Sequence, residues 1–324
     1  MNAPVRRWAI GVAAALATVA AWLAVGWTGK PVRFVVPGPP GGTSDVVARI
    51  VGEALSAQIG QPVIVDNKPG AGGAIAIGAV LAAAPDGQTL LVGAQNVLTE
   101  VPLVLKVGFD PLRDLKPVAA IARVSLVLVA NPSVPAGSLK ELVTYAKANR
   151  GKLSYASYSP GTASHYAGLI LNQKAGIDLQ HVPYKGSPPA LTDLVAGQLP
   201  LMFDGMPTAL PLVRAGKIKA LAITGRNRSA LLPDVPTFTE LGYADIDFTN
   251  WIGAIASAKL SPELTTKIHA ELVKTLQAPK MRNRLADAGL EPAPPATPAE
   301  LERSVRADYE RNAGIVKAFN IKFE

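Results

Sequence analysis

The sequence predicts an α/β fold, a mostly parallel sheet covered by helices and divided into about two domains or lobes. Short apolar β-type runs alternate with amphipathic helical stretches along most of the chain. Glycine- and proline-rich turns join the strands to the helices that follow. The chain is 324 residues long and 49% hydrophobic, enough for about two units of roughly 150 residues, each with its own core.

In chain order the predicted strands are Val32–Val36, Val63–Val65, Leu90–Val92, Val124–Ala130, Leu153–Ala156, His181–Val182, Leu201–Phe203 and Ile218–Ile223. The helix after the first strand is legible from its period: Val47, Ile50, Val51, Ala54 and Leu55 recur at i, i+3, i+4, i+7 and i+8 and form one apolar face. Later helix starts carry their own signals. Ser138 with Glu141 and Thr297 with Glu300 read as capping boxes, and Ser261-Pro262 places a cap before a first-turn proline.

Ahead of the first strand, Arg6 and Arg7 precede an apolar run that carries no charge through Val25, with small residues at Ala24 to Gly26. A basic start, an apolar core and small residues at its end predict a cleaved signal peptide over residues 1–26 and export; a retained anchor is the competing reading. The 32 basic and 24 acidic residues give a charge of +8, and removal of Arg6 and Arg7 leaves 30 against 24, or +6. Lys and Arg are scattered, with no run and no interleaved basic and aromatic stripe, so nucleic acid is not an expected partner. The absence of cysteine excludes disulfides, thiolate metal sites and cysteine nucleophiles. The three histidines, His165, His181 and His269, share no ligand spacing, so neither a metal nor another cofactor is expected.

The turns carry the functional signal. Pro37-Gly-Pro-Pro-Gly-Gly-Thr-Ser-Asp45 follows the first strand, with Thr43 or Ser44 expected to cap the next helix and Asp45 to support its N-terminus. Gly93-Ala-Gln-Asn96, Ser157–His165, Pro183–Pro188 and Asp204–Pro207 follow later strands. In an open α/β sheet such turns gather at the carboxyl edge, where helix N-termini turn free N–H groups and positive dipole ends toward a ligand. That predicts an anion site built from backbone. Gly70-Ala-Gly-Gly73 lacks the third glycine of a dinucleotide loop, where Ile75 stands, and reads as a turn feeding a helix near Ala74. Ser164 and His165 adjoin without a nucleophile elbow, leaving an exported serine hydrolase as a remote alternative. Asp204, at a strand end, is placed either to meet a cationic ligand group, to pair with Lys185, or to cap the turn at Pro207.

The ordered blocks Pro37–Arg49, Gly60-Gln-Pro-Val-Ile-Val-Asp-Asn-Lys-Pro-Gly-Ala-Gly-Gly73, Pro85-Asp-Gly-Gln-Thr-Leu-Leu91, His181–Ala190, Gly216–Thr224, Leu232–Thr237 and Trp251–Gly253 resemble the substrate-binding proteins of tripartite tricarboxylate transporters, the Bug family. The resemblance covers essentially the whole chain after the leader. It implies a periplasmic binding protein of the type II fold, with no enzymatic activity, that closes two lobes on a small carboxylate and acts as a monomer with the subunits of a tripartite tricarboxylate-type membrane transporter. The family also includes receptors and sensors without a dedicated transporter. Carried over, the ligand-binding residues are Gly38, Pro39, Pro40, Gly41, Gly42, Thr43, Ser44 and Asp45; Ala94, Gln95 and Asn96; Ser159, Gly161, Thr162, Ala163, Ser164 and His165; and Tyr184, Lys185 and Gly186, with Asp204 as a specificity candidate. Gly38 departs from the family, which often carries a bulkier residue there, so that wall is expected to be open. The expected division is residues 30–122 with 250–324 in one lobe and 123–249 in the other.

Overall fold

A computed structural model describes residues 29–104, 108–319 and 321. The expected signal peptide lies outside the described residues. Among those described, no helix is long and apolar enough to cross a membrane.

The chain begins as three strand–helix units. Strand β1 (Val32–Val36) leads to α1 (Thr43–Ile59), β2 (Val63–Asn67) to α2 (Ala74–Ala82), and β3 (Thr89–Ala94) to the short helices α3 (Asn96–Thr99), α4 (Val101–Val104) and α5 (Pro111–Asp114). A 16-residue strand, β4 (Leu115–Ala130), carries the chain onward. Next come α6 (Leu139–Ala148), β5 (Leu153–Ser157), α7 (Ala163–Ala175), β6 (Leu179–Pro183), α8 (Ser187–Val195), β7 (Leu201–Gly205), α9 (Met206–Arg214) and β8 (Lys219–Ile223). The chain then returns through β9 (Thr249–Ser257) to α10 (Pro262–Gln277), α11 (Pro279–Asp287), β10 (Glu291–Pro292) and α12 (Pro298–Ala318).

Two parallel trios, β2-β1-β3 and β7-β5-β6, are joined by the two crossing strands in the order β2-β1-β3-β9-β4-β7-β5-β6. The crossing strands pair antiparallel with everything they touch. β4 changes partner midway, bonding β9 as far as Ser125 and then β7 and β8 from Leu126 or Val127 onward. Its first half, which the sequence reading leaves out, contains Pro117 and three alanines, and its register slips between Pro117 and Ala119. Proline lacks a ladder donor and alanine has weak strand preference, so pairing with β9 has to supply what local sequence does not.

Each lobe buries both faces of its sheet. Val32, Phe34 and Val36 face α1, α10 and α11, while Val35 and Leu91 face α2. In β4 the two-residue period divides Leu126, Leu128 and Ala130, packed with α6 and α7, from Val127 and Val129, packed with α8 and α9. Each fully buried Leu or Ile contributes about 1.5–3 kcal/mol relative to exposure. Helix α12 serves both lobes: Val305 joins the first-lobe cluster around α2, whereas Ile315, Val316 and Phe319 pack against the second-lobe core. The chain after residue 314 therefore does not belong wholly to the first lobe.

The predicted caps take specific forms. Thr297 and Glu300 make the full capping box, and Ser261 accepts from the Leu264 amide. Ser138 accepts from the Glu141 amide, while the Glu141 carboxylate reaches Gly137 in place of Ser138. His269, on α10, places its Nδ1 2.8 Å from the Val118 carbonyl on β4.

Candidate functional site

The strand-to-helix turns of both trios meet across a cavity of about 410 Å³ between the lobes. Its first-lobe wall includes Gly38, Pro39, Gly42, Thr43 and Ser44 from the β1–α1 turn and Ala94 and Asn96 after β3. The second-lobe wall includes Ser159 after β5 and Tyr184, Lys185 and Gly186 after β6. Lining is mostly apolar, and among the described residues Lys185 is the sole charged side chain on it.

The β1–α1 turn is held from outside the cavity. Gly42, not Thr43 or Ser44, is the N-cap of α1, and no side chain caps it. Asp45, in the first turn, accepts 2.9 Å bonds from the Gly41 amide and Arg49 Nε, and Asn67 Nδ2 donates to the Gly38 carbonyl. Burial by itself would raise the Asp45 carboxyl, but the bonds from Arg49, Gly41 and Asn67 outweigh it and hold the group below the ordinary carboxylate range. Among the described residues no protein acceptor meets the Thr43 and Ser44 amides. Both residues line the cavity at the positive end of a 17-residue helix. Gly186 and Ser187, at the start of α8, stand on the facing wall. A β-carbon at Gly38 would meet nothing within 4 Å, so that wall is open, as expected from the missing side chain.

The remaining predicted residues stand behind the walls. Pro40 and Gly41 are exposed on the outside of their turn, and Asp45 is buried beneath it. Gln95 is buried, with its amide donating to Asn250 and Asp308. Gly161, Thr162, Ala163, Ser164 and His165 do not line the cavity, because the turn after β5 is drawn into protein contacts. Thr162 Oγ1 donates to the Ser159 carbonyl, and Glu100 of the first lobe accepts from the Ala163 amide. Ser164 Oγ donates 2.6 Å to the Phe203 carbonyl, and His165 Nδ1 accepts from the Gly161 amide. Ser164 and His165 therefore form no nucleophile–base pair. His165 stacks on His181 at 3.9 Å, and burial lowers both imidazoles, to about 4 and about 3. Among the described residues no three His, Asp or Glu side chains could hold a metal.

Asp204 also stays off the cavity wall. It is fully buried and accepts from Ser187 Oγ at 2.5 Å and Thr208 Oγ1 at 2.6 Å. Burial raises it to about 6, against the lowering effect of those two hydroxyls and the Gly205 amide. Of the three roles open to it, the geometry favours capping the turn; Lys185 is not its partner.

Sequence reasoning missed part of the wall. Pro69 to Gly73 line the cavity as well as leading into α2, and Ala71, at φ 47°, is the sole non-glycine with positive φ among the described residues. Such a run of left-handed backbone exposes peptide groups where side chains would otherwise stand, and the clustered glycines were its signal. Val124, Leu126, Asn250 and Ile252 line it from the crossing strands. No turn chemistry marks them, because strand pairing puts them there.

Two lobes joined by paired crossing strands, with a ligand-sized cavity between facing turns, define a two-lobed solute-binding protein. Residues 47–321 match the family described as "Tripartite tricarboxylate transporter family receptor", and the chain belongs to this TctC or Bug family of periplasmic binding proteins. It is 33% identical over 318 residues to Protein BugT of Bordetella pertussis, covering 97% of each chain. It superposes on the structure of periplasmic binding protein BugD with a TM-score of 0.86 at 33% identity, covering 92% of this chain and 100% of that one. Rpa4515 of R. palustris with adipate gives a TM-score of 0.88 at 32% identity, with coverage of 91% and 99%.

Proposed function

We propose that this protein captures a small carboxylate in the cleft between its lobes and delivers it to a tripartite tricarboxylate-type membrane transporter in the periplasm. The reading rests above all on the Thr43 and Ser44 amides, free of protein acceptors at the positive end of α1, in residues that line a cavity whose volume suits a small molecule. The adipate bound by Rpa4515 supports a carboxylate as the ligand class. Both walls come from one chain, which supports a monomeric receptor.

Capture follows from closure. The lobes divide where β4 exchanges β9 for β7 and β8, near residue 125, and the chain returns through β9. Two such crossings form a hinge. Closure removes water from the carboxylate and strengthens its bonds to the helix-terminal amides. A thermal-shift screen against mono-, di- and tricarboxylates, amino acids and aromatic acids tests this: one or more acids should stabilise the protein, and no stabilisation by any of them would overturn it.

If backbone donors hold the anion, the exposed Lys185 contributes little, because an exposed ion pair adds about 0–1 kcal/mol. Lys185→Gln should then weaken acid binding less than about tenfold and reduce its salt dependence, as read by titration calorimetry at two ionic strengths. A larger loss would place the anion on the lysine.

A further inference from the structure

Glu100 follows α3 in the first lobe and is 1% exposed. Its Oε2 accepts a 2.8 Å hydrogen bond from the amide of Ala163, the first residue of α7 in the second lobe. Asn250 on β9 also hydrogen-bonds this carboxyl group. Asp308 and Arg311 of α12 act on it by charge, and the phenols of Tyr158 and Tyr166 approach it from the second lobe. Arg311 lies 3.5 Å from Asp308, so the nearby cation is paired with another carboxylate. Next to this bond, Val104 of the first lobe packs so tightly on Gly161 of the second that a β-carbon there would overlap it.

Glu100 is thus buried by the apposition of the two lobes. Separating the lobes would take the Ala163 amide and the second-lobe side chains away from it and open that side of the carboxyl group to water, leaving Asn250, Asp308 and Arg311 beside it. Burial in the closed form pushes the acid up to about 8, with the Ala163 and Asn250 bonds and the Arg311 charge offsetting only part of the cost and Asp308 adding to it. An exposed glutamate ionises near its ordinary value of about 4.3.

We propose that Glu100 is a positioning residue that couples closure to proton uptake: it enters the interface between the lobes as a neutral acid, so that each carboxylate captured in the cleft brings about one proton with it. The Asn250 side-chain amide can donate or accept, which suits either state of the group. The inference rests on the carboxylate reading above. Because the acid is raised in the closed form, closure is favoured while Glu100 is protonated, and that advantage is lost as pH rises through about 8. Between pH 7 and 9 the other shifted groups near the cleft do not interfere, since burial moves Asp204, His165 and His181 to about 6, 4 and 3 and Tyr184 up to about 12, and Asp45, against burial, is held low by its Arg49 and Gly41 bonds.

Calorimetric titration of the full chain with succinate and with benzoate, in buffers of differing ionisation enthalpy, counts the protons taken up. Binding at pH 7 should take up about 0.9 proton, and affinity should fall about tenfold from pH 7 to 9. Glu100→Gln keeps an acceptor for Ala163, so it should bind with no proton uptake and no pH slope over this range. Binding without uptake, or uptake that persists in Glu100→Gln, overturns the coupling and leaves the carboxylate reading standing. Failure of every acid to bind overturns that reading, and the coupling with it.

Discussion

Gly186→Ala is expected to weaken acid binding by at least about a hundredfold while leaving both lobes folded. Gly186 caps α8 at φ 111°, a region closed to most L-residues, and a β-carbon there would sit 2.5 Å from Pro39 Cγ and 2.7 Å from Pro39 Cδ across the cleft. The backbone strain costs about 1–3 kcal/mol wherever the lobes stand. The clash with Pro39 arises only when they close, so it acts on capture. A hundredfold loss corresponds to about 2.7 kcal/mol. Pro39→Ala removes the two clashing atoms and should recover part of the affinity in the double variant. Titration calorimetry with the acid found by thermal shift reads both effects, with the melting temperature of the free protein as the folding control. Unchanged affinity in Gly186→Ala would mean that the lobes do not meet at this point when ligand is bound.

The second large effect falls on stability. Gly168 lies within α7, and a β-carbon added there would overlap the ring of Tyr155. Tyr155 cannot retreat: it is fully buried, meets Phe203 edge-on at 5.9 Å, packs against His181 at 5.2 Å and donates its hydroxyl to the His165 carbonyl. Alanine is ordinarily the better helix former by about 1 kcal/mol, so propensity alone predicts a gain. Overpacking should reverse the sign, costing about 3 kcal/mol or more. Gly168→Ala should lower the melting temperature by roughly 6–12 °C at about 2–4 °C per kcal/mol. A variant as stable as the parent would show that α7 can shift away from β5 at little cost.

The first-lobe turns were the most legible part of the site. Pro37 to Asp45 announced themselves through composition, and Thr43 and Ser44 do stand at a helix start on the cavity wall. The cap was misassigned because a glycine followed by Thr-Ser-Asp admits more than one first helical residue, and the Asp45 bonds to Gly41 and Arg49 select among them. The turn after β5 looked equivalent in composition, yet Gly161 to His165 are consumed by contacts with Glu100, Val104 and Phe203. Nothing within that turn encodes those partners, which lie about 40 to 60 residues away in sequence. Strands β4 and β9 were misjudged for a related reason: alanine, glycine and one proline give weak local preference, and each strand is fixed by the other.

By itself the sequence determined the strand runs that make up the two trios, the apolar face of α1, the glycine-shaped turns at the strand ends and the family. Those features rest on periodicity, backbone freedom and local hydrogen bonding, which act over a few residues. Tertiary structure alone decided which turns remain open to a ligand and which are filled by the protein's own groups. It buried Asp204 behind Ser187 and Thr208, and it placed the Glu100 carboxyl group on the α7 amide. A helix N-terminus has the same unpaired donors wherever it stands. Whether they meet a ligand or a carboxylate from the opposite lobe depends on how the lobes come together.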